Sequence, residues 1–379
     1  MDFELTAEQR KRYADILGAA RALLANHSET YGQFSRAQWR EAARLGLTGL
    51  CLPADHGGGG LGALDTALCL EAFGRGCSDT GLVFAVSAHL LAGAVPVRDF
   101  GSAEMRERLL PGLAAGELIA ANAITEDDAG SDTGRLGVTA CRDVDDYVID
   151  GEKSFVSNAP AADVLVTYAA TSPGCGFLGI SAFVVSPGTP GISVSEPLAK
   201  MGLGSCPAGR VRFARCRVPA SCRLGEEGQG SAIFARAMAW ERTCLFAAYI
   251  GVMDDQLERC VAHARARRQF GRPIARFQAI SHRIAMMKQR LESARMLLYR
   301  ACWLIDQQRD AYLGAVALGK VAVSEAAVSN SLDAIQIFGG TGYLAAAGIE
   351  RYLRDSVPST LFSGTTEIQR EIIAREAGL

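Results

Sequence analysis

The segment that decides the fold runs from Ala121 to Asn158. It opens with ANAITEDDAGSDTG (121–134), continues through the alternating VTACRDVDDYVIDGEKSF (138–155) and closes on VSN (156–158). Small and hydroxyl residues in the opening let backbone N–H groups approach a ligand closely. The alternation in YVIDGEKSF predicts a strand, and Asp150-Gly151 predicts a two-residue type I′ hairpin turn. On spacing alone, the simplest interpretation is a β-domain whose hydroxyl groups cap its turns.

Composition narrows the class of protein around that segment. A chain of 379 residues predicts two or three domains, and its 49% hydrophobic and 21% charged residues are typical of a soluble protein. A net charge of −2 argues against nucleic acid or an anionic membrane as the main partner. The polar N-terminus MDFELTAEQRKRY and the lack of an apolar run of ~18 residues predict neither a targeting segment nor a membrane span. The 11 cysteines, without a Cys-x-x-Cys pair or metal-ligand spacing, predict reduced thiols in a cytoplasm.

The hydrophobic periodicity changes twice along the chain. Residues 1–118 read as helices: one starts after Thr6, one is capped by Ser35, an apolar one ends near Pro96, and a short one breaks at Pro111-Gly112. His89, among Ala and Leu, is predicted to be a packed core histidine. Residues 119–225 read as short strands without intervening helices, which predicts a compact barrel and excludes a doubly wound sheet. Residues 226–379 read as a bundle of four long helices, so the fold class is α+β.

Six motifs in this order resemble one known family. They are ITEDDAGSD (124–132), GEKSFVSNAPAADV (151–164), LAKMG (198–202), RRQFGRPIARFQAISHRIA (267–285), DAIQIFGGTGY (333–343) and FSGTTEIQREIIAR (362–375). Together they resemble the signatures of the acyl-CoA dehydrogenase family, and the resemblance covers nearly the whole chain. It implies an N-terminal helical domain, a middle β-barrel and a C-terminal four-helix bundle. It also implies an FAD enzyme that removes two hydrogens from a thioester-activated substrate.

The resemblance carries the family's flavin contacts onto this chain. This chain has Asp127 where the family usually has proline, which departs from the family's pattern in the first loop. The Ser157 hydroxyl is implied to meet the flavin N5, and Arg267 and Gln269 are implied to reach the pyrophosphate of a neighbouring subunit's flavin in a homotetramer. Taken alone, Gly339-Gly340 would be a helix C-cap and Thr365 an N-cap. The implied cofactor-binding residues are Asn122, Ile124, Thr125, Gly130, Ser131, Phe155, Val156, Ser157, Arg267, Gln269, Phe270, Gln278, Gln336, Gly339, Gly340, Thr365 and Glu367.

The catalytic base departs from the commonest family pattern. Most members carry it immediately before the Gly-Thr of the last motif, where this chain has Ser363, and a serine hydroxyl cannot remove the proton unaided. A minority place it in a Glu-Arg pair on the helix after the barrel, which here is Glu241-Arg242. Helical neighbours of Glu241 at three and four residues are all non-polar, which makes a carboxylate there costly unless it is paired or used. Glu241 is therefore the predicted base, with a buried structural ion pair as the alternative. The predicted substrate-binding residues are Ser131, Arg242, Ser363 and Gly364.

A narrower resemblance lies in SCPAG (205–209), WERTCLFAA (240–248), LYRACW (298–303) and FSGT (362–365). These segments resemble the branch of the family that oxidises prolyl groups on peptidyl carrier proteins toward pyrrole-2-carboxyl units in natural-product biosynthesis. The predicted partner is thus an acidic carrier protein bearing the substrate on its phosphopantetheine arm. Three alternatives remain: a short- or branched-chain acyl-CoA (or acyl-carrier-protein) dehydrogenase, a flavin monooxygenase of the same fold, and a catalytically silent flavin-binding protein.

Overall fold

The first part of the fold is helical. The computed structural model describes residues 4–25, 32–309 and 312–379, so residues 1–3 of the polar N-terminus lie outside the described part. Side-chain caps start the helices as the sequence predicts: Thr6 and Gln9 exchange hydrogen bonds, and the Ser35 hydroxyl accepts from the Gln38 N–H. The helices are α1 (Ala7–Ala25), α2 (Arg36–Arg44), α3 (Ala63–Gly76), α4 (Thr80–Ala88), α5 (Val95–Phe100) and α6 (Ala103–Ala114).

Two predicted helix ends in this part are wrong. The apolar helix does not stop near Pro96, because a π-helical segment, His89–Ala94, joins α4 to α5 and Pro96 falls in the first turn of α5. The helix therefore continues past Pro96 and ends at Phe100. Helix α6 likewise continues through Pro111 to Ala114 because its buried face, with Leu110 and Leu113, remains packed against the core.

His89 is a core residue, as predicted. It is fully buried, its Nε2 lies 3.2 Å from the Leu113 carbonyl, and its Nδ1 accepts from the Ala120 N–H at 2.9 Å. Burial lowers the pKa of His89 to about 4. The ring is therefore neutral and links the apolar helix to the start of the sheet.

The middle of the chain forms one sheet that surrounds its own core. The strands are β1 (Ala120–Ala123), β2 (Thr139–Asp143), β3 (Asp146–Ser157), β4 (Val164–Ala170), β5 (Ile180–Val185), β6 (Ile192–Val194), β7 (Ala208–Pro219) and β8 (Arg223–Leu224). Strands β1 and β4 run parallel, and most other pairings are antiparallel, in the order β6-β7-β3-β2-β4-β5-β8. Apolar side chains from β1 to β5 and from β7 meet in a single cluster that includes Tyr147, Phe183 and Phe213.

The predicted hairpin turn at Asp150-Gly151 is wrong. Strand β3 continues through these residues without a turn, and the turn between β2 and β3 lies at Val144 and Asp145. Gly151 marks a register shift against β7, and its φ of 127° together with the packing of Val138 against it explains why glycine occupies the site. The Asp-Gly pair therefore marks a β-bulge, for which glycine is equally suited.

The last part of the chain is again helical, so the order helices, strands, helices is confirmed. Helices α8, α9 and α10 pack against one another, and α13 packs against α10. The predicted domain limits, 118/119 and 225/226, fall in the connections α6–β1 and β8–α7, and as domain limits they stay predictions. A short hairpin, β9 (Arg268–Gln269) and β10 (Arg272–Pro273), follows α8. The helices are α7 (Gly230–Trp240), α8 (Phe246–Ala266), α9 (Gln278–Asp306), α10 (Tyr312–Phe338), α11 (Gly340–Tyr343), α12 (Glu350–Ser356) and α13 (Thr366–Glu376).

Apolar length alone does not make these helices membrane spans. The segments Thr80–Phe100 and Tyr312–Phe338 are long and apolar enough to cross a bilayer, but all of the first one's apolar window and 56% of the second's are buried inside the protein. Such burial is typical of core helices.

The cysteines are all free thiols, 11 in number, and Cys69, Cys244 and Cys302 are buried as predicted.

Candidate active site

A cleft of about 210 Å³ lies where the sheet meets the helices before and after it. Its walls come from the apolar segment around Phe84 and Ala88, the loop after β1, the end of β3, the junction of α7 with α8, and the turn before α13. The structure brings the predicted base, all of the predicted substrate-binding residues and part of the predicted cofactor-binding residues together on this cleft. Those lining it are Asn122, Ile124, Thr125, Gly130, Ser131, Phe155, Ser157, Glu241, Arg242, Ser363 and Gly364.

A buried ion pair holds the loop that follows β1. The Lys153 ammonium donates to the Glu126 carboxylate at 2.7 Å and to the Ile124 carbonyl at 3.0 Å. Glu126 also accepts from the N–H groups of Gly137 and Val138 at 2.6 and 3.1 Å. Burial lowers the pKa of Lys153 to about 8. This network ties both ends of the loop to β3 and so fixes the rim of the cleft.

Asp127, which replaces the family's usual proline, gives the same loop a second attachment. Its carboxylate accepts from the Ser154 hydroxyl at 2.6 Å and pairs with Arg210 at 2.9 Å, so it connects the loop to β3 and β7. Glu126 and Ala129 exchange two backbone hydrogen bonds of 3.2 Å around it. The turn is therefore closed without proline.

The end of β3 presents a flat aromatic ring to the cleft. Phe155 has a φ of 56° and stays 63% exposed, while Ser157 lines the cleft two residues further on. Asn158, with a φ of 66°, donates to the Ala85 carbonyl at 2.8 Å and so fixes this turn against α4. Val156 lies between them but packs into the core of the sheet, so its side chain does not line the cleft.

Glu241 stands at the base of the cleft. It begins a π-helical segment, Glu241–Leu245, between α7 and α8, and only 6% of it is exposed. π-Helical turns occur frequently at functional sites. The Ser363 hydroxyl donates a hydrogen bond to Glu241 Oε1. Burial raises the pKa of Glu241, and the hydrogen bond from Ser363 and the charge of Arg242 partly oppose that rise.

Arg242 is directed to the turn before α13 and not to its neighbour in sequence. Its Nε donates to the Ser363 carbonyl at 2.7 Å, and Gln369 Nε2 lies 3.3 Å from the same oxygen. The described structure has no Glu241–Arg242 ion pair within 4.0 Å, so the alternative of a structural pair with this arginine is not supported. Burial lowers the pKa of Arg242 to about 10. The side chains of Arg242 and Gln369 lie so close to Gly364, with a φ of 85°, that a Cβ there would contact them.

The remaining predicted cofactor residues lie outside this cleft. Residues of the β9–β10 hairpin region are exposed, and the Phe270 side chain is 92% exposed. Thr365 caps α13 by accepting from the Ile368 N–H at 3.3 Å, which is its ordinary structural role. Their flavin contacts therefore stay predictions, and those of Arg267, Gln269 and Gln278 are predicted with the flavin of a neighbouring subunit. The remaining residues are Arg267, Gln269, Phe270, Gln278, Gln336, Gly339, Gly340, Thr365 and Glu367.

A second cavity, of about 260 Å³, adjoins the cleft and includes residues that the motifs did not indicate. It shares Phe234, Met238 and Arg242 with the first cavity and adds Tyr168, whose fully buried hydroxyl has no hydrogen-bond partner within the described ranges. Burial and the charge of Glu241 raise the pKa of Tyr168. Its position in a strand that is buried along its whole length gives no signal in the sequence, because Tyr is a common core residue of sheets.

Comparison with known proteins establishes the family. Models for the N-terminal, middle and C-terminal domains of acyl-CoA dehydrogenase match residues 6–117, 121–216 and 228–378. The chain therefore belongs to the acyl-CoA dehydrogenase family, as its motifs predict.

Similarity to one branch of this family extends over the full length. An L-prolyl-[peptidyl-carrier protein] dehydrogenase from Pseudomonas fluorescens is 53% identical over 100% of both chains. A solved structure described as PigA with FAD and proline superposes with a TM-score of 0.96, at 43% identity over 100% of both chains. The prolyl acyl carrier protein oxidase AnaB superposes with a TM-score of 0.96, at 38% identity over 99% of this chain and 100% of its own. The narrower resemblance is thus confirmed.

Proposed function

We propose that this protein is an FAD-dependent dehydrogenase that oxidises a prolyl group, held as a thioester on a peptidyl carrier protein, toward pyrrole-2-carboxyl. The observation that carries the proposal is a buried carboxylate, Glu241, on the same cleft as the loop and strand end that resemble a flavin site. The full-length similarity to proteins named for prolyl carrier substrates supports the choice of substrate.

The residues on the cleft fit FAD. Asn122 Oδ1 is buried without a hydrogen-bond partner within the described ranges, so a donor on a bound ring would satisfy it. The exposed face of Phe155 suits stacking against a flat heterocycle, and the hydroxyls of Thr125, Ser131 and Ser157 offer donors around it. FAD, when bound here, supplies the hydride acceptor of the reaction.

Glu241 performs the proton chemistry in this proposal. The thioester carbonyl acidifies the α-hydrogen of the prolyl group, and the carboxylate removes that proton as the hydride leaves the substrate. A base works best when its pKa is close to the working pH. Burial moves the pKa of Glu241 upward in that direction. Arg242 fixes the backbone of Ser363, so it holds the turn that closes the site.

The second cavity offers a path for the phosphopantetheine arm. It runs beside Arg242 and Met238 and reaches the partly exposed side chains of Phe177 and Leu313, which are 59% and 50% exposed. An extended thioester arm could thus enter between the sheet and the helices and place the acyl group beside Glu241. The carrier protein itself would remain outside.

The assembly belongs to the same proposal. Arg267 and Gln269 lie away from their own chain's cleft, which is the arrangement expected if they complete a neighbour's flavin site in a homotetramer. A planar guanidinium suits pyrophosphate oxygens. We place the enzyme in the cytoplasm, where the free thiols stay reduced.

A comparison of thioesters tests this function. FAD-loaded protein is mixed without oxygen with L-prolyl carrier protein, and in parallel with short- and branched-chain acyl-CoA esters. Bleaching of the flavin by the prolyl carrier protein and formation of an oxidised acyl group in the mass spectrum support the proposal. Bleaching only by the CoA esters would assign the alternative acyl-CoA dehydrogenase activity.

A further inference from the structure

Ser363 occupies the position at which most members of the family carry the base, and the structure gives it a different task. We propose that Ser363 is a positioning residue: its hydroxyl holds Oε1 of Glu241 so that the other carboxylate oxygen is directed to the α-hydrogen. This inference rests on the proposed function.

Two hydrogen bonds hold the Ser363 backbone in place. Arg242 Nε and Gln369 Nε2 both reach its carbonyl, at 2.7 and 3.3 Å, and its φ is 57°. A non-glycine residue in this left-handed region is uncommon and usually held by its surroundings. The left-handed backbone is thus held by two donors, and the hydroxyl that it carries is bonded to Glu241.

The hydroxyl donates to Glu241 Oε1, whereas Oε2 has no hydrogen bond within the part of the chain that the structure describes. The carboxylate therefore has one oxygen held and one available to the cleft. The charged and titratable groups that act on Glu241 are Arg242, from its own helix, and the Tyr168 phenol, from β4. Lys320 of α10 interacts with the charge of Arg242 and is not among the groups that shift the pKa of Glu241.

A hydrogen bond to the charged form of a carboxylate favours ionisation. Replacing Ser363 by Ala removes this bond and keeps the Cβ, so the left-handed backbone is equally strained in both proteins. The pKa of Glu241 should then rise further. Activity should fall most at low pH and should stay below the wild-type value at high pH, because the ionised carboxylate is then no longer held in one orientation.

The experiment measures the pH dependence of flavin bleaching by prolyl carrier protein for wild type, Ser363→Ala and Ser363→Gly. We expect the acidic limb to move up by about one pH unit in both variants. The protonated carboxyl of Glu241 should give an infrared band that Glu241→Gln lacks. The pH midpoint of this band should rise by the same amount in both Ser363 variants, which gives a readout independent of turnover. Ser359→Ala is the control, since that buried hydroxyl donates to the Ser356 carbonyl and not to Glu241.

Acidic limbs and infrared midpoints that coincide in wild type and both variants would overturn the role of Ser363. If the wild type bleaches with CoA esters instead, the proposed substrate is wrong but the same pH profile, measured with those esters, still decides the role of Ser363.

A separate observation concerns Tyr168. We propose that its hydroxyl hydrogen-bonds the ring nitrogen of the prolyl group and so distinguishes that group from a carbocyclic acyl group. The hydroxyl is fully buried and lacks a partner among the described residues, and Tyr168 lines the cavity together with Met238 and Arg242. The prolyl nitrogen is bonded to the carbon that loses its proton to Glu241, so its partner must lie near that carboxylate. Tyr168 lines the same cavity as Arg242, which follows Glu241 in the sequence, and the charge of Glu241 raises the pKa of Tyr168.

The test is the ratio of kcat/KM for L-prolyl carrier protein to that for cyclopentanecarbonyl carrier protein. A site that hydrogen-bonds a substrate group discriminates strongly against an analogue without that group. We expect this ratio to be at least about tenfold lower in Tyr168→Phe than in the wild type. Tyr147→Phe is the matched control, because the Tyr147 phenol donates to Glu227 at 2.6 Å.

A wild-type ratio retained by Tyr168→Phe would overturn the contact. A wild type that oxidises neither carrier-bound group would reject the proposed function, and this contact with it.

Discussion

Lys153→Met tests how the loop around the cleft is held. The change removes the donor of two hydrogen bonds, to Glu126 at 2.7 Å and to Ile124 at 3.0 Å, from a side chain that is fully buried. Glu126 keeps two backbone N–H donors but loses its counter-charge. Breaking a buried ion pair by removing one partner typically destabilises a protein by about 3–5 kcal/mol.

This loss of stability corresponds to a fall in the melting temperature. An unfolding entropy of about 2.1 cal/mol/K per residue gives roughly 0.8 kcal/mol/K for this chain, so the midpoint should fall by about 4–6 °C. The first assay is a thermal melt of the apoprotein. The second is the flavin-to-protein ratio of FAD-loaded protein after gel filtration, which should also fall because the loop lines the cleft. Lys11→Met, at an exposed ion pair with Asp15, is the control and should change the free energy of unfolding by less than about 0.5 kcal/mol. A Lys153→Met protein that melts and retains flavin like wild type would refute the reasoning.

Two further predictions concern other parts of the fold. Arg267→Ala should lose FAD during gel filtration while Arg265→Ala, two residues earlier, keeps it; equal retention by both would contradict a contact of Arg267 with a neighbour's flavin. His89→Gln should remove a pH dependence from stability, because the pKa of His89 is lowered by burial from 6.5 to about 4 in the folded protein. The stabilisation from the neutral ring is complete above pH 6.5 and is lost as pH falls toward 4, by about 3 kcal/mol in total. Denaturant unfolding at several pH values measures it, and a variant with the wild-type pH dependence would disprove it.

The sequence predicted the order of the elements because their periodicities differ so clearly. The change from helix to strand after α6 and back after β8 appears directly in the hydrophobic pattern. Local rules failed where tertiary packing decided the outcome. Asp150-Gly151 has the composition of a hairpin turn, but pairing with β7 extends β3 through it. Pro111 has the composition of a break, but the buried face of α6 keeps the helix intact.

The candidate site was predicted in part. The motifs placed Glu241, Ser363 and the loop after β1 on one functional site, and the structure brings them to one cleft. The hydrogen bond between Ser363 and Glu241 was not predictable, since these residues are 122 positions apart and meet only through the packing of α13's turn on the helices. The same holds for Tyr168, whose missing partner is visible only in three dimensions.

The central claim is that Glu241 removes the proton. Glu241→Gln keeps the shape of the side chain and its place beside Ser363 but abolishes the base. The direct measurement is anaerobic stopped-flow bleaching of bound FAD by L-prolyl carrier protein, for wild type and Glu241→Gln at equal flavin occupancy. The account predicts that the variant retains its flavin while the bleaching rate falls by about 10²–10⁴-fold. Bleaching by Glu241→Gln at the wild-type rate would contradict it.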